Sequence, residues 1–153
     1  MAEIKVTLPD ESTRVLSEGS TGADLATDIG KNLAKAAVAL NVNGETKDLS
    51  QSLSDGDAVA VRTQNTEDGL YVLRHSTAHV LAQAVLSIWD GATYAIGPPI
   101  KDGFYYDFEL PDGATFTEDD LKNIEKRMRE IIKEDQHFER YEIPSEEALE
   151  LFG

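Results

Sequence analysis

The sequence contains no cysteine, which excludes disulfides, thiolate metal sites and a cysteine nucleophile from this chain. Long apolar runs are also missing: none approaches the roughly 20 residues that span a bilayer. The opening MAEIKVTLPD has neither the basic flank nor the apolar stretch of a secretion signal. A soluble, cytoplasmic protein with no membrane partner is expected. Basic residues are scarce as well, 14 Lys and Arg against 29 Asp and Glu, for a net charge of −15. A broad basic face of the kind that displaces counterions from nucleic-acid phosphates is therefore excluded, and any such surface must be small.

The acidity is uneven. Residues 1–66 carry 10 acidic and 6 basic residues, and residues 67–153 carry 19 and 8, giving −4 and −11. Much of it lies in FTEDDLKNIEKRMREIIKEDQHFER, where Leu121, Ile124, Met128, Ile131 and Ile132 recur at helical spacing. The remaining charges read as a solvated helix face. Thr117, followed by Glu118, Asp119 and Asp120, is a helix start with a hydroxyl cap and acids at the positive end of the dipole.

At 153 residues the chain accommodates two small domains. In the first, Ile4 to Leu8 alternates in the strand pattern, PDES turns, and Thr13 to Ser17 returns as the second arm of a hairpin. A helix follows, capped by Thr21 and lined by Leu25, Ile29 and Leu33. AVALNVNG (37–44) and DAVAVRT (57–63) add strands, the former ending in an Asn-Gly turn. Two strands, a helix and further strands in this order define a β-grasp domain over residues 1–63. The polar QNTEDG, residues 64–69, is expected to be the linker.

The second part begins with a helix over about Leu70 to Trp89, containing LRHSTAHVLAQAV. Then come TYAIGPPIKDGFYYDFEL, the acidic helix, HFERYEI as a strand with exposed His137 at its start, and a short helix opened by Pro144 and Ser145. With so short a closing helix, this half reads as unfinished.

His75 and His79 lie four residues apart and share one side of their helix. Ser76, Gln83 and Ser87 gather on a narrow polar stripe, while the histidines sit away from it beside Ala82 and Leu86, and small residues leave room for a ligand. Three readings stand. The pair is half of a metal site, completed by His137 or an acid, although Ser76 stands where a metalloprotease needs its glutamate. It is a structural pair bonded to backbone or hydroxyl groups. Or it is a catalytic pair, one imidazole accepting a proton and the other orienting water or stabilising an oxyanion. Next to it in sequence, GPPIKDGFYYDFEL combines stiff prolines, a tight glycine bend and consecutive Tyr105 and Tyr106, which on a strand face opposite sides.

These segments, LRHSTAHVLAQAV, AIGPPIKDGFYYDFEL and EKRMREII in that order behind a β-grasp domain, resemble the N-terminal region of the bacterial threonyl-tRNA synthetase family. The resemblance implies an α+β chain: a ubiquitin-like TGS domain at 1–63, and at 70–153 the incomplete start of the editing domain shared with alanyl-tRNA synthetases. Editing there hydrolyses serine from mischarged tRNA(Thr), a discrimination that one missing methyl makes difficult by binding alone. The resemblance places His75 and His79 in the editing pocket as half of the site and Tyr106 along its lining. A later Cys-x-x-x-His element of the family has no counterpart here. Also missing is the aminoacylation region, to which the ATP, magnesium and zinc of the family belong, so no cofactor is expected in this chain itself. A fragment is thus expected, with tRNA(Thr) as partner of the longer enzyme and self-association through the open second half. Two alternatives remain: a TGS-type binding or regulatory module, and a small metal hydrolase built on His75, His79 and an acid.

Overall fold

The computed structural model describes residues 2–152. The chain opens with β1 (Glu3–Thr7) and β2 (Thr13–Ser17), an antiparallel hairpin in which Glu3 pairs with Ser17 and Thr7 with Thr13. Strand alternation sends Ile4 and Val6 into the core. The turn is held by Asp10, whose carboxylate accepts from the Ser12 N–H and hydroxyl.

Thr21 caps the next helix as expected, and the capping box is complete. Its hydroxyl accepts from the Asp24 N–H, and the Asp24 carboxylate accepts from the Thr21 N–H at 2.8 Å. The expected single helix is divided in two. It breaks at Gly30, a residue that weakens helix interiors, giving α1 (Gly22–Ile29) and α2 (Lys31–Ala36). Leu25 is fully buried, and Ile29 packs at the margin of the same core.

β3 (Ala37–Val42) turns through Asn43 and Gly44, both at positive φ (52° and 90°), into the short β4 (Glu45–Lys47), which the sequence pattern did not reveal. β5 (Val59–Thr63) pairs antiparallel with the other edge of β3, so the order is β4-β3-β5. A parallel bridge between Thr7 and Ala58, with the Thr7 N–H donating to the Asp57 carbonyl at 2.9 Å, joins β1 to β5. Helices over this mixed sheet make a ubiquitin-like β-grasp. Its core is Ile4, Val6, Leu25, Leu40, Val42, Leu53 and Val59.

α3 (Glu67–Ile88) starts inside the segment expected to be linker, because Thr66 rather than a later residue supplies the cap to the Gly69 N–H. Its length lets it meet two partners: it packs against β3 and β5 and also against α4 (Glu118–Lys133). Between the two helices run the paired strands β6 (Thr93–Tyr94) and β9 (Phe108–Glu109), with the hairpin β7 (Pro99–Ile100) and β8 (Gly103–Phe104). The second core gathers Ala84, Val85, Leu110, Ile124 and Ile131. Thr117 caps α4 with a second complete box, its partner being Asp120.

One expected element is absent. HFERYEI forms no strand: residues 136–144 carry no regular structure, and Phe138 and Tyr141 are 89% and 69% exposed. A strand needs a neighbouring edge to satisfy its backbone groups, and among the described residues none pairs with this segment. His137 is exposed, as expected, but begins no strand. α5 (Ser145–Phe152) does open at Ser145 after Pro144.

Candidate functional site

α3 is apolar or small on most sides, which follows from its two sets of neighbours. Ala78, Ala82, Ala84 and Val85 are buried, while Ser76, Gln83 and Ser87 form the exposed polar stripe. His75 and His79 are exposed on the same side of the helix, and no element of the described chain covers them.

The four-residue step brings the two imidazoles into contact. Their Nε2 atoms are 2.9 Å apart, with ring centroids at 4.7 Å and planes inclined by 64°. When both rings are neutral, a hydrogen bond between the two Nε2 atoms means opposite tautomers: one ring carries the hydrogen on Nε2, and the other carries it on Nδ1. The pair thus keeps one bare Nδ1 acceptor and one Nδ1–H donor for other partners. A doubly protonated pair would have two donors facing each other and would lose the bond. Because both rings are exposed, a ligand that replaces the mutual bond can engage both Nε2 atoms without breaking core packing.

Tyr71 lies one further four-residue step before His75. Its ring is near parallel to the His75 ring (20°, centroids 6.4 Å apart) and it is 57% exposed. Thus Tyr71, His75 and His79 make one ladder along α3. The equal spacing was visible in the sequence and would have singled out Tyr71.

The β7–β8 hairpin is fastened beside this ladder by Arg74. Its guanidinium donates to the Ile100 carbonyl at 3.2 Å and to the Lys101 carbonyl. No local pattern could have announced a contact across 26 residues. At the base of the ladder, the Thr66 hydroxyl donates to the Thr63 carbonyl (2.9 Å) and accepts from the Gly69 N–H (3.1 Å). A Cβ at Gly69 would lie 2.0 Å from the Thr63 oxygen, so only glycine lets the helix come this close to the end of β5.

Tyr106 takes a different position. It is half-buried, stacked on Phe108 at 4.9 Å and edge-on to Tyr94 at 5.9 Å. Its ring lies directly on the Gly97 backbone, where an added Cβ would fall 2.0 Å from a ring carbon. Tyr105 is 48% exposed, so the two tyrosines do divide between inside and outside, although neither is on a strand. The histidines are not among the ring partners of Tyr106. Among the described residues no group of three or more His, Asp or Glu side chains is placed to hold a metal ion. Nor is any helix long and apolar enough to cross a membrane.

Residues 4–63 match the family model of the TGS domain, in agreement with the β-grasp architecture. This part of the chain is a TGS domain. Over its full length the chain matches the N-terminal region of bacterial threonine–tRNA ligases. It is 47% identical over 153 residues to the threonine–tRNA ligase of Pelobacter propionicus, covering 100% of this chain and 24% of that protein. The enzyme of Acidithiobacillus ferrooxidans is 49% identical over 147 residues, 96% of this chain and 22% of the relative. That of Maricaulis maris is 51% identical over 138 residues, 90% and 21%. The chain therefore spans about a quarter of the length of the curated relatives it matches.

Proposed function

We propose that this chain is the N-terminal part of a cytoplasmic threonine–tRNA ligase, with the TGS domain at 1–63 followed by the first part of a hydrolytic editing domain. In this reading His75 and His79 supply half of a site that removes serine from mischarged tRNA(Thr). The observation that carries it is the exposed imidazole pair, joined at 2.9 Å on a helix whose base is anchored to the TGS sheet.

The reaction is ester hydrolysis. Water adds to the seryl carbonyl, the bond to the terminal ribose oxygen breaks, and serine and a free ribose hydroxyl leave. A bare imidazole nitrogen orients and deprotonates the water. An imidazole N–H donates to the oxygen on which charge develops. The pair offers one group of each kind. Tyr106, packed on Gly97, would form part of the wall of the pocket rather than touch the ester.

The ATP, magnesium and zinc of the ligation reaction belong in this reading to the parts of the enzyme outside these residues.

The test is serine release from seryl-tRNA(Thr) by a full-length threonine–tRNA ligase carrying these 153 residues in place of its own N-terminal region. Changing His75 and His79 to alanine should slow release about 100-fold or more, the usual scale of acid–base assistance, and leave threonine charging intact. Undiminished release would overturn the assignment.

A further inference from the structure

We propose that Asn43 is a modification site held in reserve: the folded TGS sheet keeps its side-chain amide unreactive, and opening of the β3–β4 turn frees it to deamidate through Gly44. The inference is independent of the editing reading.

Asn43 and Gly44 are the one Asn-Gly pair in the sequence, and the chemistry is intrinsic to such a pair. The Gly44 backbone nitrogen attacks the Asn43 side-chain carbonyl carbon, Cγ. A bond forms between them, the bond from Cγ to Nδ2 breaks, and the NH2 group takes up the Gly44 proton and leaves as ammonia. Water then opens the five-membered succinimide at one of its two carbonyls. The product is aspartate, or isoaspartate with the main chain routed through the side chain. One water is consumed and one ammonia released, so no oxidant or cofactor is required. Glycine suits the step because no Cβ crowds its nitrogen.

Three features of the fold hold the pair back. The nucleophile is engaged, since the Gly44 N–H donates to Asn41 Oδ1 at 3.0 Å. The amide under attack is fixed at both ends: Nδ2 donates to Asp57 Oδ1 at 2.8 Å, and Oδ1 accepts from the Ala58 N–H at 2.9 Å. Asp57 is itself fixed, its other oxygen accepting from the Ser54 N–H at 2.8 Å. The third feature is the direction of approach. Asn43 lies in the left-handed region, with φ at 52°. There a ψ of about +30 to +60° turns the Gly44 nitrogen away from the Asn43 Cβ, the reverse of what ring closure needs. Asn43 is exposed, so burial from water is not what protects it.

The same contacts decide what the modification does. The Asn43 N–H donates to the Ala58 carbonyl at 2.9 Å, so backbone and side chain together tie the turn to Asp57 and Ala58, which lead into β5. Ala58 also carries the bridge to Thr7 that joins β1 to β5. An aspartate at position 43 replaces the Nδ2 donor by an oxygen facing the Asp57 carboxylate, which loses a hydrogen bond and brings like charges together. An isoaspartate lengthens the main chain of a two-residue turn and disturbs the pairing of Val42 with Glu45. Each product therefore weakens the closure that had protected the amide.

The experiment incubates the 153-residue chain in mildly alkaline buffer, folded and in urea. Peptides covering residues 36–47 are followed by fragment-ion mass spectrometry for replacement of NH2 by OH at Asn43. Conversion should be roughly tenfold or more slower in the folded chain, because it waits on a local opening. Asn41→Ala frees the Gly44 N–H, and Asp57→Ala frees the amide. Each should speed conversion of the folded chain about fivefold, the scale on which one hydrogen bond shifts an equilibrium, and leave the rate in urea unchanged. Circular dichroism identifies which variants are folded, and either one suffices for the comparison. Asn43→Asp should lower the urea midpoint, and Asp57→Asn added to it should recover most of the loss by restoring a donor opposite the carboxylate.

Equal conversion in folded and urea-treated chain, or a folded rate indifferent to the freeing substitutions, would overturn the protection. A midpoint unmoved by Asn43→Asp would overturn the structural consequence.

Discussion

A methyl group at position 69 would sit 2.0 Å from the Thr63 carbonyl oxygen and 2.9 Å from the Thr66 hydroxyl. Elsewhere in a helix, replacing glycine by alanine gains up to ~1 kcal/mol of helix propensity. Here the obstacle is backbone, which cannot swing aside like the end of a flexible side chain, and overpacking of this kind costs about 1–3 kcal/mol. The loss outweighs the gain, so Gly69→Ala is expected to lower the urea midpoint. A raised midpoint would show that α3 can retreat from β5 freely. The same reasoning gives His75 and His79 their places: the four-residue spacing was legible in the sequence, whereas their 2.9 Å contact required the ring orientations. The sequence pattern could not resolve where Tyr106 points, because its seat on Gly97 depends on a loop with no periodicity.

At the level of elements, the helix starts were the most readable features. Thr21 and Thr117 cap as their side-chain chemistry demands, since a hydroxyl followed three residues later by a carboxylate can satisfy backbone donors in both directions. The hydroxyl and backbone hydrogen bonds from Thr117 hold the Asp120 carboxyl below its ordinary value of 3.8, and those from Thr21 do the same for Asp24. The folded chain therefore takes up these protons less readily than the unfolded one. Their stabilisation is complete above the ordinary value and is lost as pH falls through the lowered folded value. Thr117→Val should lower the urea midpoint at neutral pH, and its difference from wild type should shrink in acid. A constant difference across that range would deny the coupling. Less readable was the width of the apolar face of α4. Five residues recur at helical spacing, yet Ile124 and Ile131 are buried while Leu121 and Ile132 are 58% and 63% exposed. The pattern identifies a helix face but not how much of it meets a neighbour. Accordingly Ile131→Ala should cost about 2–5 kcal/mol, and Ile132→Ala within about 0.5 kcal/mol, as at ordinary surface sites. Equal losses in chemical denaturation would place Ile132 in the core. β4 and the missing 137–143 strand show a second difficulty, since pairing is decided by a partner edge distant in sequence.

Across the whole molecule, the TGS core and the second core differ in what they bury. The first encloses Val6, Leu25, Leu40 and Val59 at 2% exposure or less, all large and apolar. In the second, the residues at that level are Ala84 and Val85, and Leu110, Ile124 and Ile131 reach only 4–6%. Each fully buried large apolar side chain contributes about 1.5–3 kcal/mol, and an alanine much less. Outside this smaller core stand Tyr94, Ile96, Tyr105, Phe138, Tyr141 and Leu149, every one of them at least 48% exposed. The two parts are nevertheless not independent, because α3 touches β3 and β5 at one end and α4 at the other. Opening should therefore begin with α4 and α5, proceed to the C-terminal part of α3, and reach the TGS sheet last. Native-state hydrogen exchange is expected to show protection rising in that order, with amides of β3 and β5 exchanging only on global unfolding. The Thr66–Gly69 junction and the first turns of α3 should follow the TGS sheet rather than α4, since their hydrogen bonds run to Thr63. A single rate-limiting opening shared by α4 and β3 would instead mean that the smaller core is as stable as the larger one and that α3 couples them into one cooperative unit.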